Sequence, residues 1–115
     1  MILPQEIEVW YILPAIRSEM AKCLALKGLK HKDVAKLLGI TESAVSQYLK
    51  GDRAQKVKFS KKIVSEIENS CEKIISNNDS AQREIQSICS LLRKHGTLCE
   101  MHKQYNKICL QCNYP

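Results

Sequence analysis

The chain has 115 residues, with 18 Lys and Arg against 12 Asp and Glu, a formal net charge of +6 and six cysteines. That length holds one compact domain, or a small domain with an appended module, and leaves little room for an enzyme cleft. No apolar run approaches the roughly 20 residues that span a bilayer, and the start MILPQEIEVWYILP lacks the basic flank and cleavage site of a signal peptide, so a cytoplasmic protein without a membrane partner is expected.

Taken in chain order, the elements read as nearly all helix. Ile7, Val9 and Tyr11 alternate like a strand, but Pro4 and the acidic residues after it suit a helix start, and a short helix is the preferred reading. Trp10, Tyr11, Ile12 and Leu13 are too apolar for a solvated arm and are predicted to pack into the core, with a dimer interface as the alternative. Pro14 is placed to open a helix at its first position and Gly28 to close it, with Ile16, Met20, Cys23 and Leu24 as the apolar stripe.

Residues 29–51, LKHKDVAKLLGITESAVSQYLKG, then read as two short helices joined by a tight glycine turn. The first runs from about Lys32 to Leu38, with Val34, Leu37 and Leu38 turned inward and Ala35 small enough for a second helix to cross closely. Gly39 supplies the positive φ that ends it. Ile40 plugs the turn, Thr41 is the N-cap, and Glu42 suits the positive end of the next helix. Over residues 42–50, Ala44, Val45 and Leu49 fall on one face, while Glu42, Ser43, Ser46, Gln47 and Lys50 fall on the other, where their side chains have the chemistry to read base edges.

On these residues the chain resembles the Xre family, the Cro/phage-repressor type of helix-turn-helix regulator. Ala35, Gly39, Val45 and Leu49 stand at that family's spacing for the small packing residue, the turn glycine and the two core residues of the reading helix, and the likeness covers about residues 14–75. The resemblance implies double-stranded DNA as partner, the second helix in the major groove, and a homodimer on a pseudo-palindromic operator with half-sites about 34 Å apart.

Charge supports the same reading. Residues 50–62, KGDRAQKVKFSKK, carry six Lys and Arg against one acid, whereas the segments on either side are nearly balanced. A basic stretch directly after a reading helix is placed to meet phosphates flanking the groove. Lys50, Arg53, Lys56, Lys58, Lys61 and Lys62 are the candidates.

Ser60 caps a further helix of about 61–76, in which Ile63, Ile67, Cys71 and Ile74 align, and NNDS at 77–80 breaks it. Another follows from about Ala81 to Lys94, with Ile85, Ile88, Cys89 and Leu92 on one face, until Gly96. The final segment, TLCEMHKQYNKICLQCNYP, has no sustained periodicity and too little apolar surface for a core. The expected architecture is therefore all-α: a five-helix fold, divided into a helix-turn-helix domain with an N-terminal extension over residues 1–76 and, over 77–115, the fifth helix with a short cysteine-rich cofactor-binding segment that also offers a dimer contact.

Cys89, Cys99, Cys109 and Cys112 give C-x9-C-x9-C-x2-C, three of the four in the segment that cannot build its own core. A C-x2-C turn converges two thiolates on one ion or cluster, and a metal stabilises a small module. Cys71 or His102 could replace one ligand. Cys23 and Cys71 lie on apolar stripes and are expected to be buried as small hydrophobes. His31 and His95, beside basic residues at helix ends, suit surface or phosphate contacts.

Four thiolates satisfy tetrahedral zinc as well as an iron–sulfur cluster. Short archaeal-type regulators of this layout, ending in LC-x2-H and then C-x2-C, resemble cluster-bearing sensors, which implies an iron–sulfur cluster of the 4Fe–4S type, with Zn as the alternative. No glycine-rich phosphate loop, paired carboxylate motif or nucleophile with a partner histidine is present, and the C-x2-C lacks the βαβ context of a thiol oxidoreductase, so an enzyme is not expected.

Overall fold

The computed structural model describes residues 3–51, 59–76 and 80–94, and every regular element among them is helical. At the start, Glu6 reaches back so that its Oε1 accepts the Leu3 N–H at 3.0 Å, and Pro4 occupies the first helical position, where no N–H is needed. From there α1 (Pro4–Ile7), a π-helix (Glu8–Ile12) and α2 (Leu13–Leu26) follow one another without a break.

The short helix expected at the N-terminus is thus present, but Pro14 does not open the next one. It lies inside a continuous helical run. Having no N–H, Pro14 leaves the carbonyl four residues earlier without its usual donor, and just ahead of it the chain widens, with the Leu13 N–H bonding to the Glu8 carbonyl five residues back. The wider turn brings Ile12 round to the face of Ile7, and both are buried with Ile16 and Met20. Trp10 departs from the core packing expected of it: it is 52% exposed, and Val9 beside it 58%. Only Ile12 of the Trp10–Leu13 group is fully buried, while Tyr11 and Leu13 pack at the margin.

α2 ends where Gly28 takes φ +93°, a left-handed conformation that turns the chain toward α3 (His31–Leu38). α4 (Glu42–Leu49), α5 (Lys61–Ser76) and α6 (Ala81–Lys94) complete the fold, so that with the α1–α2 run taken as one rod there are five. α5 begins as anticipated, with the Ser60 hydroxyl accepting the Ile63 N–H at 3.3 Å.

α2 is the central post: α3, α4, α5 and α6 all pack against it, and α5 also packs on α6. One hydrophobic cluster runs from Ile7 to Leu92 and joins Met20, Leu24, Val34, Val45, Ile67, Cys71, Ile74 and Ile88, each nearly inaccessible. Burying each of the aliphatic side chains among them contributes about 1.5–3 kcal/mol, so the spacing of these residues along each helix sets which face turns inward. The stripes anticipated on α5 and α6 are those the structure buries; on α2, Cys23 instead stays half-buried at the margin. No helix among the described residues is long and apolar enough to cross a membrane.

Candidate nucleic-acid interface

Two short helices and a three-residue turn build the surface, and local chemistry dictates their geometry. Gly39 stands at φ +68°, ψ +34°, and the Ile40 N–H bonds back to the Ala35 carbonyl at 3.0 Å, a closure that satisfies an orphan carbonyl of α3. A side chain at Gly39 would meet nothing within 4 Å, so the backbone angle, not crowding, demands glycine there. Ile40 packs against the core and fastens the turn. Thr41 is extended, and its Oγ1 accepts the Ala44 N–H at 3.0 Å, which opens α4 as its N-cap.

α4 lies against α3 and α2 through Ala44 and Val45 from its own side and Val34, Ala35 and Leu38 from α3, all buried. Tyr48 is buried to 4% exposure, and Leu49, expected to be the inward residue, is half-buried. The spacing from Ala44 to Tyr48, one helical turn, was the available signal, because a residue four positions on shares the face.

Thr41, Glu42, Ser43 and Lys50 stand exposed in a row along the start and end of α4, as expected. Ser46 and Gln47, assigned to the outward face, are half-buried instead. The Gln47 Oε1 is enclosed and has no hydrogen-bond partner among the described residues. Leaving a buried acceptor unpaired costs about 1–3 kcal/mol, so this amide gains by turning toward any donor offered from outside.

Exposed cations stand on the helices that precede and follow α4 in the chain. Lys61 and Lys62 lie at the start of α5, and Lys30, Lys32 and Lys36, beside and along α3, add to them. The α3 lysines lie outside the denser basic run of residues 50–62, and their signal in the sequence is the one-turn spacing of Lys32 and Lys36. Arg53, Lys56 and Lys58 lie outside the described residues, and so do His95 and His102. His31 is exposed in the first turn of α3.

Of the four cysteines assigned as ligands, Cys89 is within the described residues, and Cys99, Cys109 and Cys112 are not. Cys89 is 3% exposed on the inner face of α6. Burial pushes its thiol up from the usual range; the carboxylate of Glu8 adds to this, while Arg93 and Arg17 nearby oppose it. Cys71 faces another way, with its Sγ 3.9 Å from the Met20 carbonyl oxygen and next to Cys23. Among the described residues no three His, Cys, Asp or Glu side chains gather as a metal set.

The sequence over residues 20–74, just under half of the chain, matches the helix-turn-helix family model. No curated protein and no solved structure was found to match. The match spans the second half of α2 and nearly all of α5, and it brackets the Gly39 turn and the Thr41-capped α4. Over residues 20–74 the chain is similar to helix-turn-helix domains, a likeness that supports a DNA-binding role.

Proposed function

We propose that the chain is a sequence-specific, homodimeric transcription regulator that reads a pseudo-palindromic double-stranded operator with α4 and answers to a cofactor held by its C-terminal cysteines. The observation that carries the DNA reading is the placement of α4. It is capped by Thr41, anchored by Ala44, Val45 and Tyr48, and left open to solvent along Glu42 and Ser43. A rigid backing with a polar outer edge lets a short helix enter a major groove without distortion. Ser43 and Gln47 are the base-reading residues in this account, Gln47 swinging outward to give its buried oxygen a partner. Thr41, Glu42, Ser46 and Lys50 frame the contact. Arg53, Lys56, Lys58, Lys61 and Lys62, with Lys32 and Lys36 from α3, hold phosphates.

The cofactor reading rests on the donor set. Cys89, Cys99, Cys109 and Cys112 supply the four thiolates that an iron–sulfur cluster of the 4Fe–4S type takes, and a bound cluster brings iron or redox sensitivity. Ligation needs the thiolate; Arg17 and Arg93 beside Cys89 favour that form, and burial works against it until positive charge arrives. A structural zinc site is the second reading, favoured by the same donor set in a segment with little apolar surface.

The test is a titration of one operator, at fixed salt, with anaerobically prepared protein, with chelated protein, and with Cys109→Ala and Cys112→Ala. A coupling of about 5- to 150-fold in affinity between the loaded and chelated forms is expected, and its loss in both variants. If iron is absent, zinc is bound and the two forms bind DNA equally, the sensor reading fails and the zinc reading replaces it.

A further inference from the structure

Two thiols meet where α2 packs on α5. Cys71 is wholly buried, its Sγ 3.9 Å from the carbonyl oxygen of Met20, which stands one turn before Cys23, and the Cys23 thiol is near enough to act on it. Cys23 is only half-buried, and it opens on a surface cleft lined also by Leu26, Lys27, Glu68, Asn69 and Glu72. Lys27 shares that cleft with Cys23 and pairs there with Glu72. One reachable thiol next to a cation, backed by a second thiol that solvent does not reach, has the layout of a reactive and a resolving cysteine. Neither belongs to the DNA-facing surface or to the C-terminal ligand set.

We propose that Cys23 and Cys71 form a reversible disulfide that staples α2 to α5, with a peroxide as oxidant. The Cys23 thiolate attacks one peroxide oxygen. The O–O bond breaks, the departing hydroxide takes up a proton as water, and Cys23 becomes a sulfenic acid. The Cys71 sulfur then attacks the Cys23 sulfur; the S–O bond breaks, and the hydroxyl leaves with the Cys71 proton as a second water. Two thiols have lost two electrons and one peroxide has become two waters. Burial pushes the Cys71 thiol well above the usual range, so it stays protonated and inert until a sulfenic acid forms against it.

The consequence lies in the topology. The chain between the two cysteines contains α3, the Gly39 turn and α4, so the bond would close the whole reading unit into one covalent loop. Closing so long a loop restricts the unfolded chain strongly and raises the melting temperature. Oxidation would thereby hold the helix-turn-helix together, whether or not the C-terminal cysteines carry a metal.

The experiment uses the full-length reduced protein with any bound metal left in place. After a few equivalents of hydrogen peroxide, free thiols are capped with iodoacetamide and the tryptic peptides are weighed. The expected product is the peptide Cys23–Lys27 joined to Ile63–Lys73, two hydrogens lighter than the pair. Dithiothreitol should separate it. The melting temperature of the oxidised protein should rise by about 10 °C or more, and by nothing in Cys23→Ser, whose half-buried position at the cleft lets the reduced variant fold as the wild type does. In Cys71→Ala, peroxide should leave Cys23 as a sulfenic acid that dimedone traps. Recovery of both wild-type peptides in capped form, oxidation of Cys23 to a sulfinic acid, or a bond from Cys23 to a different cysteine would overturn the proposal. So would a Cys23–Cys71 bond that lowered the melting temperature, since the helices would then have been pulled from their packed positions to make it.

Discussion

Arg93 holds Glu8 through both carboxylate oxygens, with its Nε 2.6 Å from Oε1 and one terminal nitrogen 3.0 Å from Oε2. The contact joins the π-helix to the last turn of α6, bringing together parts of the chain 85 residues apart. The π-helix makes the geometry possible, because its wider turn sets Glu8 against the body of the domain, where the residue is 8% exposed.

Breaking this pair should destabilise the fold through the charge left behind. The side chain of Glu8 is 11% exposed and that of Arg93 26%, so solvent softens the penalty below that of a fully buried pair. Arg93→Ala should cost about 1–3 kcal/mol in urea unfolding at fixed salt. Arg93→Lys should recover only part of that, since an ammonium cannot reproduce the forked contact. Equal stability of Arg93→Ala and the wild type would show that the carboxylate finds enough water without its partner.

The turn between α3 and α4 makes two separable demands. Gly39→Ala should cost about 1–2 kcal/mol from backbone strain alone, because φ is +68° and no atom lies within 4 Å of the new methyl. Gly39→Asn should cost less. Thr41→Ala removes the cap on the Ala44 N–H and should cost about 1 kcal/mol, while Thr41→Ser should be close to neutral. Chemical unfolding resolves all four variants; a Gly39→Asn variant less stable than Gly39→Ala would contradict the account.

On DNA, base readers and phosphate holders should respond differently. Gln47→Ala should weaken binding to the preferred operator by about 1–3 kcal/mol and relax specificity at the position it reads. Lys50→Ala should weaken all sequences alike and reduce the salt slope by about one. Fluorescence anisotropy on specific and scrambled duplexes at several salt concentrations separates the two. If Gln47→Ala loses equal affinity for both duplexes, the residue does not read sequence.

Alkaline pH should unfold the protein through its buried thiols. Cys71 and, in protein stripped of metal, Cys89 are raised above the ordinary thiol value of 9.0 by burial. A raised folded-state value means that the stability each contributes is fully present below about pH 9 and is lost as the pH climbs through the folded value. The unfolded chain ionises first. Beyond pH 9 the fall should approach 1.4 kcal/mol per pH unit for each thiol. Cys71→Ala should start lower at neutral pH, where a small cavity costs it about 1 kcal/mol, and then decline less steeply. Parallel decline of variant and wild type between pH 9 and 10 would exclude the mechanism for Cys71.

Much of this molecule was determined by local sequence. The bounds of α5 and α6, the left-handed Gly39, the Thr41 and Ser60 caps and the inward faces of α3 and α5 all follow from interactions within a few residues, which any segment carries wherever it is placed. What the tertiary structure decided depended on partners distant in sequence. Glu8 faces inward because Arg93 comes to meet it, and Pro14 sits inside a helix because Ile7 and Ile12 gain more by burial beside Ile16 than a fresh helix start would have offered. Tyr48 displaced Leu49 from the centre of the α4 contact because the packing of α4 on α2 and α3 sets how far that helix is rotated about its axis. Periodicity placed Cys23 and Cys71 on the apolar stripes of two separate helices. Only the packing of α2 against α5 set one thiol beside the other, because side-chain neighbours across a helix pair are fixed by the crossing of the two surfaces and not by the spacing along either.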